Sequence, residues 1–513
     1  MGGYERTRKS IRNSLVAIAL QVVSLLLGFW SRKIFLDYLG TEVLGLNSTA
    51  AGILSFLNLA ELGIGSAIAV TLYKPLFDGD RGSIKEIVAL QGWLYRRVAY
   101  FILGASIVLI PFLPLIFGKM ELPMWYAYAS FAVLLFSALL GYFVNYKQSV
   151  LSADQKDYKI QLSYRAMMIV KVAFQMLAVR YLDNPYVWWL AVEALFAVIA
   201  AVVLNITIYR EYPYLREKCR VTPDIRQKYP RVITMIKQLF VHRLGTFAAL
   251  QSIPIFIYAY TSLRTVALYG NYMIISNSLQ ALLVALFTSI TASVGNMIAE
   301  GDRTLILKIF KELLASRFFL VAFCSLCMFI LADPFISLWI GNEYILPHDT
   351  LMLIIILFFL NTMRSVLDIF INAYGIFKDV WSPIAEAVIF VVAAILLAPR
   401  YGLEGVLAAQ ALELVLIVFI WKPYFLFSTG VKASPMMFFG RFIKLVAVGA
   451  VPVVLTVFVA RSLPLDPYSG FLAWTEYALA VCGTAAVSLA AFIYAFDVGL
   501  RSFANRLVRS LRH

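Results

Sequence analysis

The residues of this chain that demand a chemical explanation are charges set inside long apolar stretches. Lys171 stands mid-stretch, with Tyr164, Met168 and Gln175 at helical spacing around it. Arg364 and Asp368 are four residues apart and share a helix face, which Asn361 and Asn372 continue. Asn47, Asn58 and Glu61 fall near one face, because eleven residues make nearly three turns. Gln21, Ser24, Gly28 and Arg32 form a further polar stripe. A charge in the bilayer interior costs about 2.5–3.5 kcal/mol on insertion scales, so each of these needs a partner, water or a purpose. Two readings stand for each. Lys171 lines an aqueous cavity, or it pairs with Glu193 in the next helix. Arg364 and Asp368 form a cavity wall or an interhelical clamp. Glu61, ahead of Gly63, Gly65 and Ser66, is a proton or cation site or an interhelical hydrogen-bond donor. Arg32 and Lys33 snorkel to the outer interface or turn inward. Arg243, beside His242 and beyond the Leu239-Phe240-Val241 run, sits at the inner interface or reaches a central cavity.

Enzyme chemistry finds little to work with. The three histidines, His242, His348 and His513, are scattered. No glycine-rich nucleotide loop ends in Lys-Ser or Lys-Thr, and no His/carboxylate cluster has metal-ligand spacing. Cys324 and Cys327 have a redox spacing, yet they lie inside an apolar helix without a second pair or a nearby histidine. The outer connections are too short to fold a catalytic site. The sequence predicts no enzyme, no metal and no cofactor.

The elements that hold these charges are set by composition. Of 513 residues, 62% are hydrophobic and 14% are charged, against about 45–50% and 25% in a soluble domain. Mean hydropathy is +0.83. Apolar runs of spanning length recur almost without pause. The pattern predicts an all-α polytopic membrane protein of about fourteen transmembrane helices. They fall near 13–36, 43–72, 94–118, 125–147, 160–180, 186–208, 236–261, 268–295, 316–340, 349–373, 383–399, 404–424, 440–461 and 472–495. The first is read as a retained helix, since its apolar run is too long for a signal peptide. The net charge of +15 suits cytoplasmic loops against anionic lipid and excludes a nucleic-acid role, because no compact basic domain carries it. With the N-terminus inside, cytoplasmic segments collect 34 of the 44 Lys and Arg, and the opposite side holds five. Both termini are therefore expected in the cytoplasm. The tail arginines 501, 506, 509 and 512 are expected along the inner leaflet.

A faint repeat divides the chain. Tyr38-Leu39-Gly40 and Asn47-Ser48 are echoed, at one offset, by Leu268-Tyr269-Gly270 and Asn277-Ser278. Gly79-Asp80-Arg81 recurs as Gly301-Asp302-Arg303, in the loop after the second helix of each half. The expected domains are a six-helix bundle at 1–208, a cytoplasmic linker at 209–235 and a second six-helix bundle at 236–424. Two further helices at 425–495 and a basic tail at 496–513 complete the chain. Halves of six helices face the same way, as in transporters built from parallel repeats.

Several stretches carry a family resemblance. They are Tyr38-Leu39-Gly40-Thr41-Glu42-Val43-Leu44-Gly45-Leu46-Asn47, Ala60-Glu61-Leu62-Gly63-Ile64-Gly65-Ser66-Ala67, Leu72-Tyr73-Lys74-Pro75-Leu76, and Ala153-Asp154-Gln155-Lys156-Asp157-Tyr158. Their order resembles bacterial Wzx-type polysaccharide flippases, in the superfamily that also holds MATE exporters and lipid II flippases. The resemblance is clearest over the first 160 residues. It implies translocation of an undecaprenyl-pyrophosphate-linked oligosaccharide between leaflets of the inner membrane. It also implies two six-helix bundles around a cationic cavity, membrane lipid as surroundings, and polysaccharide polymerase as a partner. Pyrophosphate is a strong anion, and arginine matches its oxygens with paired hydrogen bonds. From position in the helices, Arg32, Lys171, Arg243 and Arg364 are the candidate head-group cations. Glu61, Asp368 and Glu193 are their charge partners or coupling sites, and only Glu61 falls in a resembling motif. The competing readings are a MATE-like exporter of small amphipathic compounds driven by Na+ or H+, a membrane enzyme of polysaccharide assembly, and a lipid II flippase.

Overall fold

A computed structural model describes the chain except residues 1–2, 59–63, 155, 218, 220, 231, 237–251, 375, 377–378, 380 and 512–513. Side chains of 3–19, 21, 66, 285–293, 295–296, 299–300 and 506–511 are also left undescribed. Among the described residues the protein is helical and without strands, a multi-pass membrane fold. It divides into two compact units, Met1–Ala267 and Leu268–His513.

The first unit opens with α1, Gly3–Leu57, which breaks at Gly40 (φ 79°, ψ 174°) into the expected first helix and the start of the second. α2 is Ile64–Asp78 and α3 is Arg81–Leu109. Around Pro111 and Pro114, α3 tightens into short turns that carry it to Ile116. α4 is Trp125–Phe143, α5 is Ala166–Tyr181 behind a π turn at Gln161–Arg165, and α6 is Pro185–Glu211. The expected linker folds back on α3. Its short helices Pro213–Arg216 and Pro223–Lys228 bring Glu217 to Lys85, Lys228 to Glu86 (2.6 Å) and Arg226 over the Trp93 ring. Of the expected seventh helix, residues 252–260 are helical, and 237–251 lie outside the described residues. Gly45 is a point of close approach: a Cβ there would lie 2.0 Å from the Leu263 carbonyl oxygen.

α7, Leu263–Glu300, carries the boundary between the units. The second unit continues with α8, Arg303–Ile340, and α9, His348–Tyr374. α10, Trp381–Glu413, breaks at Gly402 (φ 55°) and is prolonged by π segments at Leu414–Trp421 and Leu426–Val431. α11 is Met436–Ser462, α12 is Phe471–Phe496 and α13 is the tail helix Val498–Leu511. α12 packs on both α8 and α11 through Leu331, Ala460, Tyr477 and Val481, and the thiols of Cys327 and Cys482 meet there at 3.5 Å. Nine described helices are long and apolar enough to cross a membrane.

α7 and α8 outrun their expected spans at the end they share. Thirty-eight residues of α-helix measure about 57 Å, against about 30 Å of hydrocarbon. Hydropathy marks only the apolar part, so the polar turns that project beyond it, with Lys308, Lys311 and Glu312, read as loop.

The short repeats fare differently. Gly79 (φ 71°) and Gly301 (φ 79°) both take the left-handed conformation that a Cβ disfavours, which ends one helix and lets the next begin. Asp80 and Asp302 then cap the following helices. Asp80 accepts from the Ser83 amide (3.0 Å), and Asp302 accepts from the Thr304 and Leu305 amides (2.9 and 3.2 Å). Hydrogen bonds from the Ser83 and Thr304 side chains, together with these amides, hold both carboxyls below the usual aspartate range. Ser48 and Ser278 also match, each donating back to the carbonyl four residues earlier. The glycine echo does not match: Gly40 breaks a helix, whereas Gly270 sits inside α7.

Candidate functional site

In the first unit, α5 and α6 run side by side and bring Lys171 to Glu193. Nζ donates to Oε1 at 2.8 Å, and both side chains are largely buried. Gln175, one turn on from Lys171, donates to the other carboxylate oxygen at 2.9 Å and to the Trp189 carbonyl at 3.3 Å. The arrangement follows from helical periodicity, which puts Lys171 and Gln175 on one face of α5 and Trp189 and Glu193 on one face of α6. Both carboxylate oxygens are thus used, and the group is neutral. Arg32 lies half-buried on α1, one turn before Phe35, whose ring meets Trp189 edge-on at 5.5 Å. Beyond the Gly40 break, Asn47 accepts from Ser130 (2.5 Å) and Tyr186 (3.2 Å). Glu61 and Arg243 lie outside the described residues.

In the second unit the charges form a cluster. Arg364 on α9 donates to Glu386 on α10 through Nη1 at 2.9 Å and Nη2 at 3.4 Å, and through Nε to Asp368 at 3.3 Å. Lys422 closes it from the other side, 3.2 Å from Glu386 and 3.6 Å from Asp368. Glu386 and Lys422 are buried, while Asp368 is 39% exposed and forms the open edge. Glu413 faces Glu386, Arg364 and Lys422, is only 2% exposed, and has one carboxylate oxygen buried without a hydrogen-bond partner. Two cations therefore meet three carboxyls.

Lys422, near the end of the expected span 404–424, is not among the site residues that the sequence singles out. In an α-helix, nine residues make two and a half turns and would set Glu413 and Lys422 on opposite faces. The π segment Leu414–Trp421 lies between them. Its wider winding spreads those nine residues over about two turns, so both side chains reach one cluster. Arg317, which the sequence does not single out either, is likewise buried and donates to the Leu283 carbonyl at 2.9 Å. Among the described residues no three His, Cys, Asp or Glu side chains are placed to hold a metal ion.

Chemically, each site holds buried cations against carboxylate partners. A carboxylate beside an arginine occupies the position that a phosphate oxygen takes in an arginine–phosphate pair.

No protein-family model and no curated protein sequence matches the chain. Solved structures do. The inward closed conformation of the lipid II flippase MurJ aligns over 94% of this chain and 99% of its own, with a TM-score of 0.63 and 15% identity. An inward-facing multidrug resistance MATE transporter of the MOP superfamily aligns over 82% of this chain and 99% of its own, at TM-score 0.60 and 13% identity. A MOP superfamily transporter from Pyrococcus furiosus, for which a reversed polarity of the binding pocket suggests a different function, aligns over 83% and 96%, at TM-score 0.56 and 14% identity. With its kinked spanning helices in two units, the chain has the polytopic fold of the MOP-superfamily transporters.

Proposed function

We propose that this protein is a flippase that moves undecaprenyl-pyrophosphate-linked oligosaccharide repeat units from the inner to the outer leaflet by alternating access. The observation that carries the reading is the extent of structural likeness. The lipid II flippase matches 94% of the chain and the MATE transporter 82%, a gap of about 60 residues, the length of the α11–α12 pair. A lipid-linked substrate is the property in that neighbour's name that the MATE names lack.

In this reading Arg32, Lys171, Arg243 and Arg364 serve the pyrophosphate, with Glu61, Glu193 and Asp368 as charge partners or coupling sites. Lys171 and Arg364 hold carboxylates in the present state. A lone cation in low dielectric is costly, so the carboxylates act as stand-ins, and the pyrophosphate replaces them as it enters. The chain works in the inner membrane with both termini in the cytoplasm, beside a polysaccharide polymerase, and does no bond-making chemistry itself.

A second reading, a MATE-like exporter of small amphipathic compounds driven by Na+ or H+, is favoured by the acid excess of the Arg364 cluster, which suits a cationic cargo. A deletion strain separates the two. The flippase reading expects lipid-linked repeat units to accumulate on the inner leaflet and surface polysaccharide to be lost. Normal surface polysaccharide together with a new sensitivity to amphipathic cations would replace it with the exporter reading.

A further inference from the structure

The tail helix α13 does more than end the chain. Asp497, 1% exposed, caps it by accepting from the Gly499 and Leu500 amides at 2.7 and 3.1 Å. The same carboxylate accepts from Arg441 of α11 at 2.6 Å. Ser502 donates to the buried Glu312 of α8 at 2.6 Å. Gly499 has no room for a Cβ, which would lie 2.4 Å from Arg441 and 2.5 Å from the Lys311 carbonyl oxygen. The helix is thus fixed at its start to α8 and α11.

α13, α8 and α12 together border an open cavity of about 500 Å³. That size lies within the usual range of small-molecule sites. Phe319, Leu320, Ala490, Tyr494, Leu500 and Phe503 line it. Ser316 and the Tyr494 hydroxyl supply its only polar side-chain groups. Tyr494 also marks its charged rim. Arg501 stands 5.7 Å from that ring and donates to the Tyr494 and Ala495 carbonyls through Nε and Nη2. A guanidinium has five N–H donors, so Nη1 keeps two for another acceptor. Both carboxylates near the rim, Glu312 and Asp497, are buried and already bonded. The exposed charge there is positive. From residue 498 to 513 the sequence has four arginines and no acid. Of the described residues, Leu500 and Phe503 turn into the cavity while Arg501 is exposed.

An open apolar cavity at the end of membrane helices, rimmed by Arg501 and bordered by the start of a tail helix in an arginine-rich, acid-free stretch, is complementary to one class of molecule. We infer that it is a structural binding site for an anionic phospholipid, with an acyl chain in the cavity and the phosphate on Arg501. The lipid cements α13 to α8 and α12. The site is separate from the Lys171 and Arg364 charge groups and does not depend on what the protein transports.

The full-length protein in detergent, titrated with phosphatidylglycerol or phosphatidylcholine of identical chains, tests this by native mass spectrometry and thermal shift. The expected result is about fivefold preference for phosphatidylglycerol, the worth of one arginine at an anionic surface. Arg501→Gln should abolish the preference. Ala490→Trp, which fills the cavity, should abolish bound lipid and its thermal shift, and Ala504→Trp approaches the same cavity from the tail should the first variant fail to fold. Equal binding of the two lipids, or full phosphatidylglycerol binding by the filled variants, would overturn the inference. So would displacement of phosphatidylglycerol by polyprenyl phosphate, which would give the cavity to a transported lipid tail.

Discussion

The two units hold their buried charge in different ways. In the first, one lysine meets one glutamate, and a glutamine takes up the remaining carboxylate oxygen. In the second, Arg364 and Lys422 share Asp368, Glu386 and Glu413, and one oxygen of Glu413 is left over. The first is a closed account with neutral sum. The second carries one carboxyl more than its cations can match, and it is assembled on a π segment, the kind of helix irregularity that often accompanies function. The difference sets a pair that holds α5 to α6 against a cluster whose carboxyls outnumber its cations.

The largest effect should come from Glu386. It bonds both cations and is nearly inaccessible, so Glu386→Ala leaves two buried charges short of a partner. The expected loss is about 3–5 kcal/mol, the usual result of halving a buried pair, read as a lower unfolding midpoint in detergent or nanodiscs. Glu413→Gln is its counterpart. It removes the surplus carboxyl and keeps the shape, so stability should stay within about 1 kcal/mol or rise. If the two variants were equally damaging, the surplus would be fictitious and the contrast between the units would collapse.

Next in size is the first unit. Glu193→Ala strands Lys171 in the bilayer, at a cost of up to about 2.5–3.5 kcal/mol. Removing both charges, as in Lys171→Met with Glu193→Leu, should restore most of that stability, because well-packed apolar residues replace buried pairs with little loss. A flippase that uses Lys171 for its substrate would then be stable yet impaired in transport. A double variant that is stable and fully active would reduce the pair to a clamp and sharpen the division of labour between units.

Much of this was legible from the sequence, and the limits have physical causes. Hydropathy gave the all-α spanning fold, since lipid admits few alternatives for an apolar chain. Helical spacing marked Arg364 with Asp368 and Lys171 with Gln175, because those pairs lie on regular α-turns, and the need of a buried lysine for a counter-charge offered Glu193 on the next helix as one reading. Lys422 was not legible. It precedes Pro423 near the end of the expected span 404–424, and α periodicity points it away from Glu413; only the π winding turns it inward. Arg317 escaped for a related reason, as it sits where hydropathy ends and the helix does not. The Gly-Asp-Arg repeat carried its geometry in its residue types, a left-handed glycine and a capping aspartate, whereas the Gly40 echo shared letters without sharing a conformation.

That repeat offers the smallest but most symmetrical test of how alike the units are. Asp80 and Asp302 are both solvent-facing caps whose carboxyls are held below their ordinary value, Asp80 chiefly by Ser83 and Asp302 chiefly by Thr304. A lowered folded-state pKa means that the ionised cap contributes stability above the unfolded value, near pH 4, and loses it as pH falls through the lower folded value. Asp80→Ala and Asp302→Ala should each lower the unfolding midpoint modestly at pH 7 and flatten its decline below pH 4. Asparagine still accepts from the same amides but does not titrate, so Asp80→Asn and Asp302→Asn should keep most of the midpoint while flattening the same decline. Two units that respond alike would show that the shared tripeptide does one mechanical task twice, starting the third helix of each half. A response confined to Asp302, with its two backbone donors against one for Asp80, would place the difference between the units already at their caps.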